Sequence, residues 1–187
     1  MIPIGGIGKL EAKIVIINGQ GGAGKDTFIN FCGKYTQRTV CNISSVAPIK
    51  EVAKMLDWNG EKDKKGRKLL SDLKRVSKEY NNFPVKYMLY SIKRSIKDYG
   101  NPLIFLHIRE IDEIKEIKEI LSESIALIVI KDMDKHGNKS DDDVYNYNYD
   151  HIIYNNWSLE NLEHQACLFV KLLNMGVYNE SNVLQCM

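Results

Sequence analysis

Residues 12–18 (Ala-Lys-Ile-Val-Ile-Ile-Asn) are a short apolar run rich in β-branched side chains, and four glycines fall within the next six positions. No other stretch limits the fold as tightly. An apolar run without alternation has no polar face to turn to water, so it reads as a strand covered on both sides, the kind found in parallel sheets. The glycine segment ends in Gly24-Lys25-Asp26-Thr27, and residues 26–35 then read as a helix. A G-x-x-x-x-G-K spacing between strand and helix lets backbone N–H groups curl around an anion, because glycine accepts positive φ without steric cost. The helix N-terminus adds its dipole to the same point.

Gly19, Gly21, Gly22, Ala23, Gly24, Lys25, Asp26 and Thr27 are therefore the candidate cradle for the phosphates of a nucleoside triphosphate, ATP first. Lys25 has the reach to neutralise the β- and γ-phosphates. The usual Ser or Thr that holds Mg2+ after the lysine is replaced by Asp26. Its carboxylate is the candidate metal ligand, direct or through water, with Thr27 left for a phosphate oxygen. Gly5-Gly6-Ile7-Gly8-Lys9 has no strand before it and reads as a flexible terminus.

Further along, strands are predicted over 38–44, 102–108, 125–130 and 150–154. Helices are predicted over 49–57, with Val52, Ala53 and Leu56 on the apolar face, and over 68–80, 85–99, 110–121 and 159–174. Ile111, Ile114, Ile117 and Leu121 form a stripe at helical spacing, and Ser158 is the expected N-cap of the last helix. Residues 60–66 and 81–84 read as breaks, and 132–143 as a long charged loop. Strands alternating with helices predict a parallel sheet covered on both faces. A chain of 187 residues fits one such domain. The expected division is a core at 12–58 and 100–176, a helical segment at about 59–99 and a frayed tail at 177–187.

Charge narrows the partners. Between Lys50 and Lys97 there are 14 Lys and Arg against 6 Asp and Glu, a local +8 in a chain of net charge +2. Next to a phosphate loop, that excess points to a second anionic small molecule. Phosphoryl transfer needs cations to bring two anions together, and Lys50, Arg67, Arg75 and Arg109 are the candidates. The basic stretch lacks the interleaved aromatics of a nucleic-acid stacking platform. The apolar runs are too short to cross a bilayer, no basic-then-apolar leader opens the chain, and a cytoplasmic location is expected. Cys32, Cys41, Cys167 and Cys186 are too scattered for a metal site and read as reduced thiols.

Four segments, in order along nearly the whole chain, resemble the P-loop nucleoside monophosphate kinase family. The closest likeness is to the bacteriophage and bacterial deoxynucleoside monophosphate kinases. They are the Gly24-Lys-Asp-Thr27 ending of the loop, Ala47-Pro48-Ile49-Lys50, Arg109 with Glu113 after the third strand, and Asp150-His-Ile-Ile-Tyr-Asn155-Asn156-Trp157-Ser158 leading into the last helix. The resemblance implies a three-layer α/β/α P-loop kinase fold with a five-stranded parallel sheet, a helical substrate-binding segment and a lid loop at about 131–147. It implies transfer of phosphate from ATP, with Mg2+, to a (deoxy)nucleoside monophosphate. Asn155 and Asn156 would lie beside the adenine, Arg109 at the transferring phosphate, and Lys131 would be the lid's cation, with Lys135, His136 and Lys139 further along. The family's Asp two residues before the Arg is His107 here, Trp157 stands where the family has glycine, and the lid has no Arg. A kinase of another phosphorylated metabolite, of the dephospho-CoA or phosphomevalonate type, and a non-catalytic ATP sensor stay open. So do the acceptor and the oligomeric state.

Overall fold

The computed structural model describes residues 12–131 and 143–176. Five strands, β1 (Lys13–Asn18), β2 (Val40–Ser44), β3 (Leu103–His107), β4 (Ile125–Ile130) and β5 (His151–Tyr154), form one sheet in the order β2-β3-β1-β4-β5. Every neighbouring pair is parallel, with Val15 opposite Phe105 on one side and Ile125 on the other. The period of two along β1 divides the core. Val15 and Ile17 face one way and Ile14 and Ile16 the other, and both pairs are buried.

Six helices supply the cover: α1 (Lys25–Tyr35), α2 (Ala47–Met55), α3 (Lys64–Asn81), α4 (Phe83–Tyr99), α5 (Ile111–Ile120) and α6 (Leu159–Met175). On one face, Phe28, Ile29 and Cys32 of α1 and Leu162, Ala166, Phe169 and Val170 of α6 pack on Val15, Phe105, Leu127 and Val129. Phe28 and Phe169 meet with ring centroids 5.6 Å apart. On the other face, Val85, Met88 and Ile92 of α4 and Ile114 and Ile117 of α5 cover Ile16, Ile104, Leu106 and Ala126. The three-layer α/β/α architecture expected from the sequence is the one present. Strand and helix positions agree within a few residues, and Ser158 caps α6 by accepting from the Asn161 N–H at 3.3 Å.

Three local expectations are corrected. In α2 the buried residues are Pro48, Ile49 and Ala53, whereas Val52 is 38% and Leu56 58% exposed. The helix starts two residues earlier than its periodicity suggested and turns its first turn inward. The charged break before α3 ends at Asp63, not Gly66. Asp63 caps the helix by accepting from the Gly66 N–H at 2.7 Å. Gly66 is buried there, and a Cβ on it would collide with the Glu61 carbonyl and stand 2.7 Å from Trp58 Nε1. Finally, α3 and α4 are separated by Asn82 alone. Its positive φ of 56° closes one helix and opens the next, with Pro84 in the first turn of α4.

Candidate functional site

All strands being parallel, the segments that follow β1, β3, β4 and β5 meet at one edge of the sheet, where the strand order reverses around β1. Such edges are where open α/β sheets bind ligands. The glycine-rich loop of residues 19–24 occupies that edge. Gly19 has φ of 137°, Gly22 79° and Gly24 95°. A Cβ on Gly19 would overlap the Val129 carbonyl, and one on Gly24 would overlap the Asn155 side-chain amide. Conformation demands glycine at both places, and at Gly19 the backbone contact demands it by space as well. No side chain caps the N-terminus of α1, so the N–H groups of its first turn point at the loop's hollow, a geometry that favours an anion. Lys25 Nζ bends over the loop and donates to the Gly19 and Gln20 carbonyls, each at 2.7 Å.

Asn18, the last residue of β1, fixes the mouth of this loop. Its Oδ1 accepts from the Gly19 N–H at 2.7 Å, while Nδ2 donates to the Arg109 carbonyl at 3.2 Å and the Tyr149 hydroxyl at 2.7 Å. Tyr149 in turn donates to the Val144 carbonyl at 2.8 Å. Burial pushes that hydroxyl up to about 12, so it remains a donor. Asn18 was not singled out in the sequence, because its partners lie 91 and 131 residues away.

Arg109 follows β3 and lies against the loop, with Nη2 3.7 Å from where a Gly21 Cβ would stand. His107, at the end of β3, hydrogen-bonds Asn42 Oδ1 at 3.2 Å. Burial lowers its pKa, the Asp26 carboxylate works against this, and the Lys25 ammonium adds to it. The ring is thus close enough to feel both charges at the start of α1.

On the other side of the loop, Asn155 Nδ2 donates to the Ala23 carbonyl at 2.9 Å and its N–H to the Ile130 carbonyl at 2.7 Å. A cleft of about 360 Å3 opens there, lined by Gly22, Gly24, Thr27, Lys131, Asn155, Asn156, Trp157 and Leu159. The expected neighbours of the loop, Lys131, Asn155 and Asn156, are brought together. Lys135, His136 and Lys139 lie outside the described residues, as does most of the expected lid.

The basic segment is distributed less simply. Lys50 is half-buried in α2. Arg67 donates through Nε to the Lys62 carbonyl at 2.7 Å, and Arg75 pairs with Glu79 at 3.0 Å on the exposed face of α3. The cation turned toward the sheet edge is Lys74, whose side chain is only 12% exposed. It meets the wholly buried Glu113 at 2.9 Å, Glu110, and the Ser45 hydroxyl at 3.2 Å. Burial raises the Glu113 carboxyl above its ordinary range. Burial also opposes charge on Glu110, but the Lys74 ammonium outweighs it and holds that carboxyl low. The Lys74–Glu113 pairing spans 39 residues, and Lys74 carries no local signal that separates it from its neighbours in sequence.

Among the described residues no helix is long and apolar enough to cross a membrane, and no three His, Cys, Asp or Glu side chains gather as a metal cluster. Cys32, Cys41 and Cys167 are free thiols. No family model and no curated protein matches the chain. Solved structures do. A sugar kinase from Janibacter sp. HTCC2649, in unliganded form, aligns with a TM-score of 0.52 at 11% identity, over 90% of this chain and 99% of its own. A candidate kinase from Chloroflexus aurantiacus aligns with 0.50 at 13%, over 91% and 100%. The dephospho-CoA kinase from Campylobacter jejuni aligns with 0.48 at 17%, over 87% and 98%. At such identities the likeness is one of fold alone: the three-layer α/β/α arrangement is shared with the sugar kinase and the candidate kinase.

Proposed function

We propose that the protein is an ATP-dependent phosphotransferase whose acceptor itself carries a phosphate, with a (deoxy)nucleoside monophosphate as the favoured class. The observation that carries this reading is the glycine loop with Lys25 over it, flanked by the base-sized cleft at Asn155 on one side and Arg109 on the other. The triphosphate would lie along the loop and the start of α1. An oxygen of the acceptor phosphate would attack the γ-phosphorus in line, the bond to the bridging oxygen would break, and ADP would leave. Lys25 would neutralise charge gathering on the leaving oxygens, and Arg109 would hold the two phosphates together with its planar fork. Lys131, the residue after β4, is the candidate cation over the transferring group. The helical segment at about 59–99 would face the acceptor, with Lys50, Arg67 and Arg75 available to it.

Mg2+ generally takes one or two carboxylates and leaves most of its shell to phosphates and water. Asp26, exposed in the first turn of α1, with Thr27 on the cleft, fits that sparse requirement. When bound, the ion would screen the β- and γ-phosphates. His107 in the place of the resembling family's Asp, with no Arg in the lid segment, favours a second reading, a nucleotide-binding protein that transfers nothing. A panel of nucleoside monophosphates, dephospho-CoA and phosphomevalonate with ATP, read as ADP release, separates the cases. Turnover on a monophosphate is expected. ATP binding with no acceptor-dependent release would support the second reading instead. Lys25→Ala is expected to lower triphosphate affinity at least about tenfold, since a charge-assisted contact to phosphate is lost. Unchanged affinity in a calorimetric titration would refute phosphate binding at this loop.

A further inference from the structure

The cleft beside the phosphate loop has a polar floor and an apolar rim. Trp157 and Leu159 are 68% and 63% exposed, and both line the cleft that also contains Gly22, Gly24 and Thr27. Among the described residues, two side chains able to read the edge of a base, Asn155 and Gln165, are already engaged. The Asn155 amide is spent on the Ala23 carbonyl, and the Asn155 N–H on Ile130. Gln165 is tied to the Tyr154 N–H and carbonyl and to Asn161 Oδ1. What the cleft offers is a large flat indole in the same lining as Gly22, Gly24 and Thr27 of the loop and the first turn of α1.

We propose that Trp157 is the stacking platform for the base of the donor nucleotide, and that the base is held by its face rather than its edge; this rests on the nucleotide-binding part of the reading above. A site of that kind takes purine triphosphates as a class. It discriminates against pyrimidines, because a two-ring base covers more of the indole. It is indifferent to the groups that distinguish adenine from guanine. Residues 138–141, Asn-Lys-Ser-Asp, have the N-K-x-D spacing associated with guanine reading. They lie outside the described residues, and GTP is the informative competitor because it differs from ATP only at the edge of the base.

The chain has two tryptophans, and Trp58 donates its Nε1 to the Glu61 carbonyl in the turn before α3. Trp58→Phe therefore leaves Trp157 as the single tryptophan, which can be excited apart from the tyrosines at the red edge of the absorption band. In that background, ATP and GTP are expected to quench fluorescence with affinities within about threefold of each other, and CTP to bind about tenfold more weakly, in line with the usual worth of stacking. Calorimetry on Trp157→Ala is expected to show ATP and GTP weakened about tenfold, tripolyphosphate unchanged, and most of the loss restored by Trp157→Phe. Trp157 is exposed, so the fold tolerates these changes. Three results would overturn the proposal: ATP affinity unmoved by Trp157→Ala, an equal loss for tripolyphosphate, or a preference for ATP over GTP beyond about tenfold. If tripolyphosphate failed to bind the unmutated chain, the phosphate-loop reading would fall as well. No acceptor is present in these titrations, so a missing kinase activity does not affect them.

Discussion

Glu113 shows how a single side chain can hold an enzyme-like edge together. One of its oxygens meets Lys74 and the other has no partner among the described residues, so the carboxyl tolerates burial only while that ammonium is present. Removing one member of a buried pair strands the other, and Lys74→Met is expected to cost about 3 kcal/mol in urea unfolding at neutral pH. Lys74→Met combined with Glu113→Gln should recover most of the loss, since the stranded charge goes with the second change. The pH dependence follows from the two shifts. Glu113 has a raised folded value, so its contribution is complete below the ordinary carboxylate range and fades as pH rises through the folded value. Glu110 has a lowered one, so its contribution is complete above that range and fades as pH falls. Glu113→Gln should therefore remove the decline on the alkaline side and keep the acid one, which urea midpoints across pH would show.

At the scale of elements, helix ends decide more than helix interiors. The α3 helix buries only Gly66 completely, and its start depends on the Asp63 carboxylate. Asp63→Ala is expected to cost about 1 kcal/mol and to fray the turn that carries Trp58, visible as a shift in Trp58 emission. The α1–α6 layer is held differently, by aromatic packing. Phe169→Ala would open a cavity against Phe28 and β1 and is expected to cost about 3–5 kcal/mol, measured by thermal or urea unfolding. Both helices border the cleft beside the glycine loop, so the affinity for nucleotide proposed for it should fall with stability in this variant. In Asp63→Ala it should not.

For the molecule as a whole, charge is segregated. The loop after β1 is rich in glycine, and the stretch from Lys50 to Lys97, which forms α2, α3, α4 and the turns between them, carries an excess of eight positive charges. Several of those charges are already paired on their own helices, as Lys54 is with Glu51, Lys68 with Asp72 and Arg75 with Glu79. The remaining field should steer an anionic acceptor more than it grips one. Raising salt from about 0.05 to 0.5 M shortens the screening length from roughly 14 to 4 Å. The acceptor KM in the ADP-release assay should then rise several-fold while kcat changes little.

The sequence by itself determined the strand–glycine loop–helix unit, because β-branching, positive-φ glycines and a helix start are all settled within about fifteen consecutive residues. It also determined the alternation that makes the sheet parallel, since burial on both faces leaves its mark on each strand separately. Tertiary structure alone decided which cation of the basic segment is buried and which carboxylates receive it. It decided too that Asn18 ties the loop to Tyr149, and that Asn155 spends its amide on a carbonyl 132 residues away. Those choices depend on distances between segments remote in sequence, and no local propensity encodes a distance of that kind.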